Sequence, residues 1–107
     1  SRDVSIATGT QAITGVGFKP SRIIFFSVLA NQTMSFGYDN ITTGHCTFLG
    51  SGLAVASYGS TESIYSEYSS GTYSGNLQSL DADGFTISWV KGSSPTGTLR
   101  TLFIAFR

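Results

Sequence analysis

Residues 84–90 alternate, with Phe85, Ile87 and Trp89 at one parity and Thr86 and Ser88 at the other. Successive side chains of an extended strand point to opposite faces, so this is the pattern of a half-buried β-strand. Met34, Phe36 and Tyr38 stand in the same relation to Ser35, Gly37 and Asp39, which predicts an inward face made of the first three. No stretch of ten residues carries a helical period, and β-branched, aromatic and glycine residues dominate. The pattern predicts strands near 3–7, 10–14, 22–29, 33–38, 45–49, 53–57, 62–68, 76–80, 84–90 and 98–106. Turns fall at Gly15-Val16-Gly17, Asp39-Asn40, Gly50-Ser51-Gly52, Gly71, Asp83-Gly84 and Gly92-Ser93-Ser94-Pro95. Short strands between turn clusters describe an all-β sandwich or barrel, and the fold expected is an antiparallel β-sandwich, jelly-roll-like in outline. With no linker and no internal repeat, residues 1–107 form a single domain.

Two strands break the alternation. In 23–29, Ile23, Phe25 and Leu29 oppose Ile24, Phe26 and Val28; in 99–106, Leu102, Ile104 and Phe106 oppose Leu99, Phe103 and Ala105. Both faces of these strands call for burial, and no helix is available to cover the second. Burial between identical copies answers this, which predicts a homo-oligomer with Phe26, Val28, Leu99 and Phe103 near its axis.

Composition narrows the partners. Six basic and six acidic residues cancel, so nothing favours nucleic acid or an anionic membrane. Charged residues make up 11% of the chain, against roughly 25% in an ordinary soluble domain. The wetting groups are hydroxyls and glycines instead: 17 Ser, 13 Thr and 13 Gly. That balance suits an extracellular or particle-bound β-protein. No apolar run approaches the ~20 residues of a membrane span. The opening SRDVSIATGT also lacks the basic-then-apolar layout of a signal peptide.

Candidate chemistry is sparse. Asp81-x-Asp83-Gly84 resembles the start of a calcium loop, but its fifth and twelfth places hold Phe85 and Gly92. Corner formation is the better reading, with an Asp side chain accepting backbone N–H bonds. His45 and Cys46 are adjacent on a strand, so they face opposite ways and form no dyad. There is no Gly-x-Ser-x-Gly elbow for a triad. A lone cysteine excludes an internal disulfide and a cysteine-based zinc site. No catalytic residue, metal or cofactor is expected.

Residues 57–75, SYGSTESIYSEYSSGTYSG, consist mostly of Ser, Gly and Tyr. One reading is an exposed hairpin; the other is a contact surface of the mix that antibody loops use. A glycan-binding site would draw on Tyr65, Tyr68 and Tyr73 as stacking faces, with Tyr38, Asp39, Asn40 and His45 as polar partners.

Three stretches carry a resemblance: GTQAITGVGFKP at 9–20, IIFF at 23–26 and DADGFTISW at 81–89. They resemble a module of about this length in virion structural proteins of tailed bacteriophages, notably marine ones. In outline the pattern is also similar to H-type lectin domains. The likeness covers roughly 9–29 and 80–106 and is weak from 40 to 75. It implies an oligomeric sandwich, a trimer in the lectin family, on the surface of a phage particle assembled in the host cytoplasm. Other virion proteins are its implied partners, as capsid decoration or as a fibre or tail module. A host-surface glycan is the alternative ligand.

Overall fold

The computed structural model describes residues 1–29, 33–49, 55–58, 62–68 and 71–107, the backbone alone at 55–58 and Tyr68. Among the described residues the chain forms β1 (Arg2–Asp3), β2 (Gly9–Thr14), β3 (Arg22–Leu29), β4 (Thr33–Asp39) and β5 (Gly44–Leu49). It continues with β6 (Val55–Tyr58), β7 (Ile64–Tyr68), β8 (Gly71–Asp81), β9 (Gly84–Ser93) and β10 (Thr98–Phe106). Two antiparallel sheets result: sheet A in the order β1-β10-β3-β4-β5-β6, and sheet B in the order β2-β9-β8-β7. Packed face to face, they form a β-sandwich.

β1 and β8 differ from the pattern. The strand expected over 3–7 is cut to Arg2–Asp3, because the Asp3 carboxylate accepts both the amide and the hydroxyl of Ser5 and turns the chain. Val4 then drops into the core, its amide bonded to the Gly97 carbonyl. β8 begins at Gly71 instead of 76, since Gly71, Tyr73, Gly75 and Leu77 alternate inward. Of the strand expected at 53–57, Leu53 and Ala54 lie outside the described residues.

The core is aromatic and centred on β9. Phe85 meets Phe25 edge-on at 5.8 Å between centroids and Phe103 at 4.9 Å. Trp89 stacks on Tyr73 at 5.3 Å, with the Arg2 guanidinium 5.5 Å from the indole. The Trp89 Nε1–H donates to Gln11 Oε1 at 3.1 Å. Gly75 lies directly beneath the indole: a Cβ there would come within 2.8 Å of its ring carbons. Burying each such ring contributes about 1.5–3 kcal/mol.

β4 is inverted relative to its sequence pattern. Ser35, Gly37 and Asp39 face inward, while Phe36 is 55% exposed and Met34 and Tyr38 are half-buried on the outer face. The cause is the close approach of the segment leading into β7. A Cβ on Gly37 would sit 1.7 Å from the Ser63 carbonyl oxygen, so no bulky inner side chain fits. Hydrogen bonds fill the gap. Asp39 accepts the Ser63 hydroxyl and the Leu77 amide, and Thr33 bonds Ser66 at 3.0 Å. The sandwich is therefore stitched along its β4–β7 side. Its opposite side holds a cleft of about 120 Å³ lined by Arg2, Gln11, Ile13, Trp89 and Phe103 among others.

The two glycine-rich turns are joined to each other. The Asp83 carboxylate accepts the amides of Gly15 at 3.1 Å and Gly17 at 2.6 Å, and its carbonyl accepts that of Val16. Both glycines sit at positive φ, 85° and 83°, which side chains resist. Asp81 accepts the hydroxyls of Ser79 and Thr86 at 2.8 Å. The acidic pair thus builds a corner.

Candidate functional site

The outer face of sheet A is where this chain presents apolar surface. Cross-strand register aligns Leu102, Phe26 and Phe36 in one row over β10, β3 and β4. The next row runs Ile104, Ile24, Tyr38 and His45, and a third runs Arg100, Val28, Met34 and Leu49. Leu102 is 72% exposed and Ile104 59%. A shallow groove of about 120 Å³ lies among Phe26, Met34, Phe36, Thr47 and Leu49. Arg22 and Arg100 sit at the same parity on β3 and β10 and flank the rows. A contiguous apolar patch of this kind on a small domain marks a docking surface.

Register also corrects one sequence expectation. Phe26 and Val28 lie on this outer face, but Leu99 pairs with Leu29 and Phe103 with Phe25, both on the inner face. Leu99 is fully buried, and Phe103 packs its ring on Phe85. The outer members of β10 are Leu102 and Ile104. Arg100 shares their parity, and that charge was the available signal of the solvent side.

The residues expected to hold a glycan do not converge. Tyr73 is fully buried, stacked on Trp89 and accepting from Arg2 Nε, so it offers no stacking face. Asp39 is buried too, its oxygens taken by Ser63, Leu77 and the Ile41 amide. Asn40 closes the 40–43 turn by accepting the Thr43 amide at 2.7 Å. That turn holds Ile41 at φ 74°, a left-handed conformation rare for a β-branched residue. Tyr65 lies against Phe48 at 4.5 Å. The Tyr68 side chain lies outside the described residues. Tyr38 and His45 alone are cross-strand neighbours, on the outer face.

Cys46 faces inward while His45 faces out, as their adjacency on β5 requires. Burial, with a contribution from the Glu62 charge, pushes the Cys46 thiol up to about 11, which holds it in the unreactive thiol form near neutrality. Among the described residues no group of three or more His, Cys, Asp or Glu gathers as a metal site would require. The cleft beside Trp89 is floored by aromatic rings, and its Gln11 carbonyl is already occupied by the indole. The class defined by this geometry is an antiparallel β-sandwich with an apolar outer sheet face. Comparison with protein-family models, curated proteins and solved structures finds no match.

Proposed function

We propose that this protein is a non-enzymatic structural component of a tailed-bacteriophage particle. It acts as a capsid decoration protein or as a fibre or tail module, docking on other virion proteins through the outer face of sheet A. The observation that carries this reading is the exposed row of Leu102, Phe26 and Phe36. Support for the particle context comes from the resemblance of 9–20 and 81–89 to phage modules. In the fold these stretches clasp each other through Asp83, Gly15 and Gly17. The test is mass spectrometry and antibody labelling of purified particles. Stoichiometric presence on the particle surface is the expected result; a protein left behind in the host lysate refutes it.

The glycan-binding reading retains one point of support, the adjacent outward side chains of Tyr38 and His45. A glycan array answered only by the parent and not by Tyr38→Ala would favour it.

A further inference from the structure

The edge of sheet A formed by β10 is open for most of its length. β1 pairs with β10 only at Arg2↔Leu99 and Asp3↔Thr98. From Arg100 to Phe106, β10 is paired with β3 along one side, and among the described residues no strand lies along the other. Natural sheets protect such an edge with lysine, proline, a bulge or a very short strand. Apart from the charge of Arg100 at its start, this segment has no such protection: it reads RTLFIAF and keeps an unbroken register with β3. Leu102, Phe103 and Ile104 are consecutive and all exposed, so both faces of the strand are open here.

We propose that β10 pairs antiparallel with β10 of a second copy, merging the two six-stranded sheets into one about a two-fold axis at Phe103. A second copy is favoured because the segment is complementary to itself. Full overlap of a seven-residue edge places the axis at its midpoint. Arg100 then faces Phe106, Thr101 faces Ala105, Leu102 faces Ile104, and Phe103 faces its own counterpart. No like charges are opposed, and aliphatic meets aliphatic. The Arg100 guanidinium meets the Phe106 ring, which Arg22 already contacts at 5.0 Å, so the aliphatic pairs at the centre and not this end favour the contact. Cross-strand pairs of these kinds stabilise an antiparallel contact beyond its backbone bonds. An arrangement in which identical edges meet is isologous and therefore two-fold. The three-fold form implied by the lectin resemblance would need β10 to meet a different edge. One strand pair is a small interface, so dissociation in the micromolar range is expected. This inference is independent of the virion reading: a protein absent from particles can still dimerise this way.

The experiment is sedimentation of the 107-residue chain from about 5 to about 500 µM, with three variants. The parent is expected to move from the 11.3 kDa monomer to twice that mass as concentration rises. Leu102→Lys/Ile104→Lys opposes like charges across the proposed register and is expected to stay monomeric. Leu102→Lys/Ile104→Glu opposes unlike charges and is expected to restore the dimer. Leu102, Ile104 and Phe36 all point outward, and circular dichroism verifies folding. As a second measurement, amide exchange in the parent should slow at 100–106 with rising concentration. A parent monomeric at every concentration overturns the proposal. So does an assembly that survives the Lys/Lys pair, or one dissociated by Phe36→Lys alone, which would indicate face-to-face docking.

Discussion

Asp83 holds Gly17 across a sequence separation of 66, carboxylate to amide, at 2.6 Å. The same carboxylate takes the Gly15 amide, so one side chain fixes the turn after β2 against the turn before β9. Hydrogen bonds to a charged group contribute about 1.5–3 kcal/mol, and exposure to water places these at the low end. Asp83→Ala is expected to lower stability by about 1–2 kcal/mol, with Asp83→Asn recovering part. Gly17→Ala should cost about 1 kcal/mol through its positive φ. Thermal melts of the three variants check this; an unchanged midpoint for Asp83→Ala removes the clasp from the account.

Trp89 is buried against Tyr73, with the Arg2 guanidinium beside both rings. Trp89→Ala empties that space and is expected to cost about 3–5 kcal/mol in urea unfolding. Gly75→Ala should also destabilise, because its methyl group enters the volume of the indole.

Cys46 gives a pH dependence with a definite sign. Its folded value of about 11 lies above the ordinary 9.0. The stability associated with the protonated thiol is therefore complete below about pH 9 and lost as pH rises through about 11, by on the order of 2 kcal/mol. Urea melts at pH 8 and pH 10.5 of the parent and of Cys46→Ala isolate the effect. The parent should lose more than the variant, and equal losses would count against it. Native protein should also resist thiol alkylation at pH 8.

The outer face of sheet A can be altered without touching the core. Phe36→Lys is expected to leave the melting temperature within a few degrees of the parent, since surface changes usually stay within about 0.5 kcal/mol. It should abolish attachment to particles stripped of the native protein. Binding at parental affinity would move the docking surface elsewhere.

The strands were legible in sequence where one face is apolar and the other polar. β9 follows its alternation, and β3 has the predicted bounds. β4 shows why the same rule failed nearby. Its small and polar residues face inward because the Ser63 backbone occupies the space a side chain would fill, and strand periodicity contains no information about that approach. For β10 the sequence supplied two apolar faces with only the Arg100 charge to mark the outer one; the pairing of Phe103 with Phe25 decides it. The binding set failed for a related reason. Tyr73 and Asp39 look like surface chemistry in composition, yet each is buried by a partner distant in sequence, Trp89 and Ser63.

The sandwich is bonded like a book, with a sewn spine and a loose fore-edge. Along the spine, Asp39, Ser63, Thr33 and Ser66 tie β4 to the β7 side by buried hydrogen bonds. Along the fore-edge, the β2 and β10 margins are separated by the cleft beside Trp89. The fore-edge is held more lightly, by Arg2 donating to the Tyr73 hydroxyl and by the Phe103 ring on Phe85. The strand offered to a second copy lies on that margin, so pairing there would add backbone bonds on the side the buried network does not reach.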